Sequence, residues 1–114
     1  MPNNALQLLC IIVDRGFGSK VCRLLDRQGM ALQYVTLAHG TAHSVYIDYL
    51  GLAEPEKEIV LTLTCRSATA EIFEALREKL DLDVPGKGIA FALPLSAITQ
   101  TAITDDLHHR LSQF

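Results

Sequence analysis

The stretch Leu6-Gln7-Leu8-Leu9-Cys10-Ile11-Ile12-Val13, closed by Asp14-Arg15-Gly16, decides the architecture. It is short, rich in β-branched residues and bounded by turn formers, so it predicts a strand rather than a helix. Both faces of that strand are apolar. From Ser19 the period changes: Val21, Leu24 and Leu25 form a stripe at helical spacing, with Lys20, Arg23, Asp26 and Arg27 outside it. Ser19 is the expected N-cap, and Gly29 the left-handed residue that ends the helix. Leu32 to Ala38 follows as a second strand, Leu32, Tyr34 and Thr36 alternating with Gln33, Val35 and Leu37. The result is one β-α-β unit.

The same order of elements recurs downstream. Glu58 to Cys65 reads as a strand, with Ile59, Leu61, Leu63 and Cys65 on one face and Val60, Thr62 and Thr64 on the other. Ser67 is the expected cap of a helix whose stripe is Ile72, Phe73, Leu76 and Leu80, while Glu71, Glu74, Arg77, Glu78 and Lys79 face water. Pro85-Gly86-Lys87-Gly88 breaks the pattern, and Ile89 to Leu93 is the fourth strand. Pro94 ends it, which a central strand tolerates poorly. Two such halves predict an α+β fold of the ferredoxin-like β-α-β-β-α-β kind, a four-stranded antiparallel sheet with two helices on one face. It is expected to form a single domain over residues 1–114, with a core at about 6–98 and a C-terminal tail at 99–114.

Composition agrees with one domain: 114 residues, 49% hydrophobic and 20% charged. A formal charge of −3 and a pI near 5.7 lack the electrostatic footprint of a dedicated nucleic-acid binder, so no nucleic-acid partner is expected. Cys10, Cys22 and Cys65 are odd in number and show no paired metal-site spacing, which fits a reducing compartment. The longest apolar run, Leu8 to Val13, is far short of the roughly 20 residues of a membrane span. Met1-Pro2-Asn3-Asn4 carries no basic start of a signal peptide. The expectation is a cytoplasmic protein without membrane insertion.

Mean hydropathy of +0.22 is high for a small domain, which exposes a large share of its surface. The sheet face without helices should be polar, yet the first strand is apolar on both sides. Val60, with either parity of Ile89 to Leu93, is expected to add to that face. Burial against further copies is the simplest remedy, so a homo-oligomer is expected.

Between the halves, Ala38 to Lys57 is much longer than a hairpin needs. Val45, Tyr46, Tyr49 and Leu50 are at helical spacing before Gly51, which predicts a short helix within it. The order of elements and the motif Gly86-Lys87-Gly88-Ile89-Ala90-Phe91-Ala92-Leu93-Pro94-Leu95 resemble the nitrogen-regulatory P-II signal-transduction proteins, most of all their divergent P-II-like relatives. The resemblance spans roughly Leu6 to Ile98. It implies a non-catalytic homotrimer that buries the open sheet faces, binds a small anionic effector in clefts between subunits and docks on a target protein through the loop at 40–56, the family's T-loop. It further implies that Thr36, His39, Gly40, Gly86, Lys87 and Gly88 contact the effector and that Tyr46 and Tyr49 belong to the partner loop. The effector's identity stays open; an adenine nucleotide is the candidate the resemblance suggests. The family's Gly-Asp-Gly-Lys loop reads Gly86-Lys87-Gly88-Ile89 here, and Thr99-Gln100-Thr101-Ala102 stands where the family has arginines. The usual phosphate-holding pattern is therefore incomplete.

The residues themselves support two readings of Gly86-Lys87-Gly88: backbone N–H groups and one ammonium offered to an anion, or a turn entering the last strand. Gly16-Phe17-Gly18 lacks the third glycine of a dinucleotide loop and reads as a helix-entry turn. His39 and His43 are four apart, but Gly40 between them argues against a helical metal pair, and they read as surface histidines. A divalent-metal site on the same pair, as in the cation-tolerance family with the same trimeric fold, is the alternative, and a ligand-free structural adaptor is a third reading. Cys22 and Cys65 read as packing residues. No acid/base set assembles, so no enzyme is expected. Tyr46 and Tyr49 either dock a partner or pack the loop's helix onto the body. Thr104 to Leu111, acidic first and basic last, predicts a short terminal helix packing on a neighbouring subunit.

Overall fold

The periodic stretches become strands and helices in the expected order: β1 (Leu6–Asp14), α1 (Gly18–Arg27), β2 (Gln33–His39), β3 (Glu56–Cys65), α2 (Arg66–Leu80) and β4 (Ile89–Pro94). The computed structural model describes residues 5–30, 32–39, 56–84 and 87–99. The strands form one sheet in the order β2-β3-β1-β4, and every neighbouring pair is antiparallel. This is the ferredoxin-like arrangement read from the sequence. Pro94 closes β4, which is an edge strand, where a missing N–H costs least.

The core lies between the sheet and the two helices. Leu9, Ile11 and Val13 of β1 and Val60 of β3 pack against Val21, Leu24 and Leu25 of α1 and Ala68, Ile72 and Leu76 of α2. Each buried Leu, Ile or Val contributes about 1.5–3 kcal/mol from the apolar surface it removes from water. Gly29 ends α1 at φ 85°, with the N–H of Met30 bonded to the Leu25 carbonyl and that of Gly29 to the Asp26 carbonyl, a Schellman closure. Among the described residues no helix is long and apolar enough to cross a membrane.

Two sequence expectations are corrected. Val60 faces the helices, not the open side, because the β1–β3 register places it opposite Ile11, with Thr62 opposite Leu9 and Thr64 opposite Gln7. The two threonines can be buried because their hydroxyls have partners: Thr62 Oγ1 donates to the Leu32 carbonyl at 2.6 Å and Thr64 Oγ1 to the Cys65 carbonyl at 3.3 Å. The open face consequently receives Ile59, Leu61 and Leu63 and is more apolar than expected. Nor do Ser19 and Ser67 cap their helices. The N-cap positions are Phe17 and Cys65, and neither makes a side-chain cap bond.

The segment holding Tyr46 and Tyr49 with its expected helix, Gly40, His43, Gly86 and the expected helix at 104–111 all lie outside the described residues.

Candidate functional site

Strand directions bring five chain ends to one pole of the molecule. The end of β1, the start of α1, the end of β2, the start of β3 and the turn from α2 into β4 all lie there. β2 ends at His39 and β3 begins at Glu56 at one edge of this pole, and Lys87-Gly88 stand at its β4 edge.

At the β2 edge, His39 pairs in register with Glu56. Arg15, just past β1, forms an ion pair with Glu56. The hydrogen bond and charge of Arg15 hold the Glu56 carboxyl below the usual carboxylate range. These residues, with Leu37 and Ala38, line a cleft of about 200 Å³. Thr36 is also on β2, but alternation places it on the opposite face of the strand from His39.

At the β4 edge, Lys87 lines a second cleft of about 270 Å³ together with Lys20 of α1 and Lys79 of α2. Asp14 and Asp81 also line it. Asp14 is committed elsewhere: its Oδ1 accepts from the buried Lys57 Nζ at 2.6 Å. The Lys20 ammonium sits 4.8 Å from the centroid of the Phe17 ring, a cation–π contact. Sequence reading assigned Lys20 and Lys79 to solvated helix faces. Their meeting with Lys87 is a tertiary event that no spacing announces.

His39 and Lys87 do not meet within one chain. Two strands lie between β2 and β4, so their edges are about 14 Å apart at the usual strand spacing.

Between the two edges stands Glu58. Its Oε1 accepts the backbone N–H groups of Gly16 at 2.7 Å and Gly18 at 3.0 Å. It thus ties the turn before α1 and the first N–H of the helix to β3, and its charge suits the positive end of the helix dipole. Gly18 admits this approach, since a Cβ there would stand 3.0 Å from the same oxygen. Glu58→Ala is expected to lower the unfolding free energy by about 1–2 kcal/mol, with Glu58→Gln between it and the native protein. Urea titration of the three proteins checks this, and coincident curves would show that Glu58 does not hold the helix start.

Burial pushes the thiols of Cys10, Cys22 and Cys65 up, so they remain protonated at neutral pH. Cys65 belongs to the core and Cys22 packs against it, as packing residues should. Among the described residues no group of three or more His, Cys, Asp or Glu converges to hold a metal ion.

No protein-family model matches the chain, and no curated protein matches it by sequence. Solved structures do resemble it. The ATP complex of GlnK from B. subtilis superposes with a TM-score of 0.64 at 15% identity, covering 84% of this chain and 86% of that one. CPII, a nitrogen regulatory PII-like protein from Thiomonas intermedia K12 bound to ADP, AMP and bicarbonate, gives 0.64 at 14% identity, covering 83% and 94%. A DUF3240-family protein from Shewanella baltica gives 0.65 at 12% identity, covering 88% and 98%. The chain therefore has the PII-like form of the ferredoxin-like fold.

Proposed function

We propose that this chain is a divergent member of the P-II-like signal-transduction proteins. It acts as a non-catalytic homotrimer that binds a small anionic, nucleotide-like effector at clefts between copies and contacts a target protein through the loop at 40–56. The observation that carries this reading is the split pole. Lys87, with Lys20 and Lys79, stands at one sheet edge, and His39 with Arg15 stands at the other, on a fold shared with structures solved with ATP, ADP and AMP. A neighbouring copy that sets its β2 edge beside the β4 edge of the first would complete a site that one chain holds only in halves. Effector bound there would touch both the lysine cleft and the root of the 40–56 loop. It would favour whichever loop arrangement it binds better, which is a shift of population.

The test is calorimetric titration with ATP, ADP, AMP and bicarbonate, alongside measurement of oligomeric state. A nucleotide is expected to bind the trimer, and Lys87→Ala to weaken it at least about tenfold, or about 1.4 kcal/mol. Unchanged affinity in the variant would remove Lys87 from the site. A trimer silent to every nucleotide would leave the adaptor reading, and one that responds only to copper or zinc would turn attention to His39 and His43.

A further inference from the structure

Next to the Lys87 cleft, Lys20, Arg23 and Arg27 of α1 and Lys79 of α2 line a groove of about 320 Å³ between the two helices. The spacing of 20, 23 and 27 keeps the three α1 cations on one face over about 10 Å of helix. Leu24, Ala75 and Leu80 form an apolar floor beneath them. All four cations are exposed, and none forms a salt bridge among the described residues. Asp26, the acid of α1, is turned to the other side, where its Oδ1 accepts from Gln33 Nε2 at 2.8 Å.

This concentration has a cost. Four of the ten Lys and Arg of a chain with net charge −3 gather in one groove, with like charges at i, i+3 and i, i+4. Each such pair destabilises a helix by about 0.2–0.5 kcal/mol, and an anionic partner would reverse that sign. The groove is open and holds no buried polar side chain, unlike a site built for a small molecule. Its apolar floor offers nothing to a nucleic-acid backbone, and its concave form does not suit a flat lipid surface. Arginines matched to carboxylates beside an apolar contact are, by contrast, common anchors of protein interfaces.

We propose that the α1–α2 groove docks an acidic peptide segment of a partner protein, whose carboxylates pair with Lys20, Arg23, Arg27 and Lys79 while an apolar side chain covers Leu24, Ala75 and Leu80. The groove shares Lys20 and Lys79 with the Lys87 cleft, so the proposal is tested at Arg23 and Arg27, which line the groove and not that cleft.

The probe is a dye-labelled, glutamate-rich peptide carrying leucines, followed by fluorescence anisotropy with the full chain. Binding is expected, with affinity falling as ionic strength rises from about 0.05 to about 0.5 M. Arg23→Glu/Arg27→Glu is expected to weaken it at least about tenfold, and Arg23→Gln/Arg27→Gln to weaken it to a lesser degree. Arg66→Glu, at the far end of α2 and outside the groove, should change it less than about twofold. Thermal melts establish that each variant is folded. Absence of binding overturns the proposal, as does an equal loss in Arg66→Glu. Tighter binding of a single-stranded oligonucleotide or a phosphatidylserine vesicle than of the peptide overturns it too.

Discussion

Gly88→Ala is expected to lower the unfolding free energy by about 3 kcal/mol or more, enough to reduce the melting temperature of a domain this size by about 12 °C or more. Two causes add. Gly88 has φ 131°, a conformation that residues with a Cβ rarely adopt. A Cβ there would also stand 2.6 Å from the Ile12 carbonyl oxygen, with Val13 Cγ1 at 3.2 Å behind it. The oxygen cannot easily withdraw, because Ile12 lies in a central strand and is in register with Ile59 on one side and Ile89 on the other. Gly16→Ala separates the two causes. Gly16 has φ 97° and nothing within 4 Å of a built Cβ, so it carries the conformational cost alone, about 1 kcal/mol. Equal losses in the two variants would refute the close approach at Gly88. The functional consequence is that the sheet itself requires a glycine at 88. Lys87 is then the residue of this turn whose replacement reports on anion binding.

The order and type of elements were legible because period and punctuation agree along the chain. Leu6–Val13 is too short and too β-branched for a helix, and Gly29 and Pro94 fall where α1 and β4 stop. Facing was harder. In β3 the residues Ile59, Leu61 and Leu63 are larger and more apolar than Val60, Thr62 and Thr64, and hydrophobicity alone assigns them to the core. The register with β1 decides otherwise, and the threonine hydroxyls accept burial because the carbonyls of Leu32 and Cys65 lie within reach. The helix start was illegible for a related reason. Local serines at 19 and 67 fit the capping rule, yet α1 is held by Glu58, forty residues on from Gly18. The lysine cleft is likewise a product of packing, since the first turn of α1, the last turn of α2 and the entry to β4 meet only once the sheet has formed.

Phe91→Asp is expected to prevent the proposed trimer from forming and to leave monomers at micromolar concentration. The registers align the open face into apolar rows: Tyr34-Leu61-Cys10-Phe91 across the middle, with Ile59-Ile12-Ile89 on one side and Leu63-Leu8-Leu93 on the other. In a single chain Tyr34 is 66% exposed, Leu93 48% and Phe91 37%, so this face retains apolar surface that the helices cannot reach. A monomer leaves an aspartate at 91 partly hydrated and tolerates it. An assembly that packs these faces together would bury a carboxylate without a counter-charge in every copy, at several kcal/mol each. Val84→Asp is the control, since Val84 is 44% exposed but stands in the turn after α2, away from the sheet. Sedimentation velocity is expected to show trimers for the native chain and for Val84→Asp, and monomers for Phe91→Asp. A native monomer, or a Phe91→Asp variant that remains assembled, would mean that the rows are not the interface. The two half-sites at the pole would then have no neighbour to complete them, and the effector would have to bind to one chain alone.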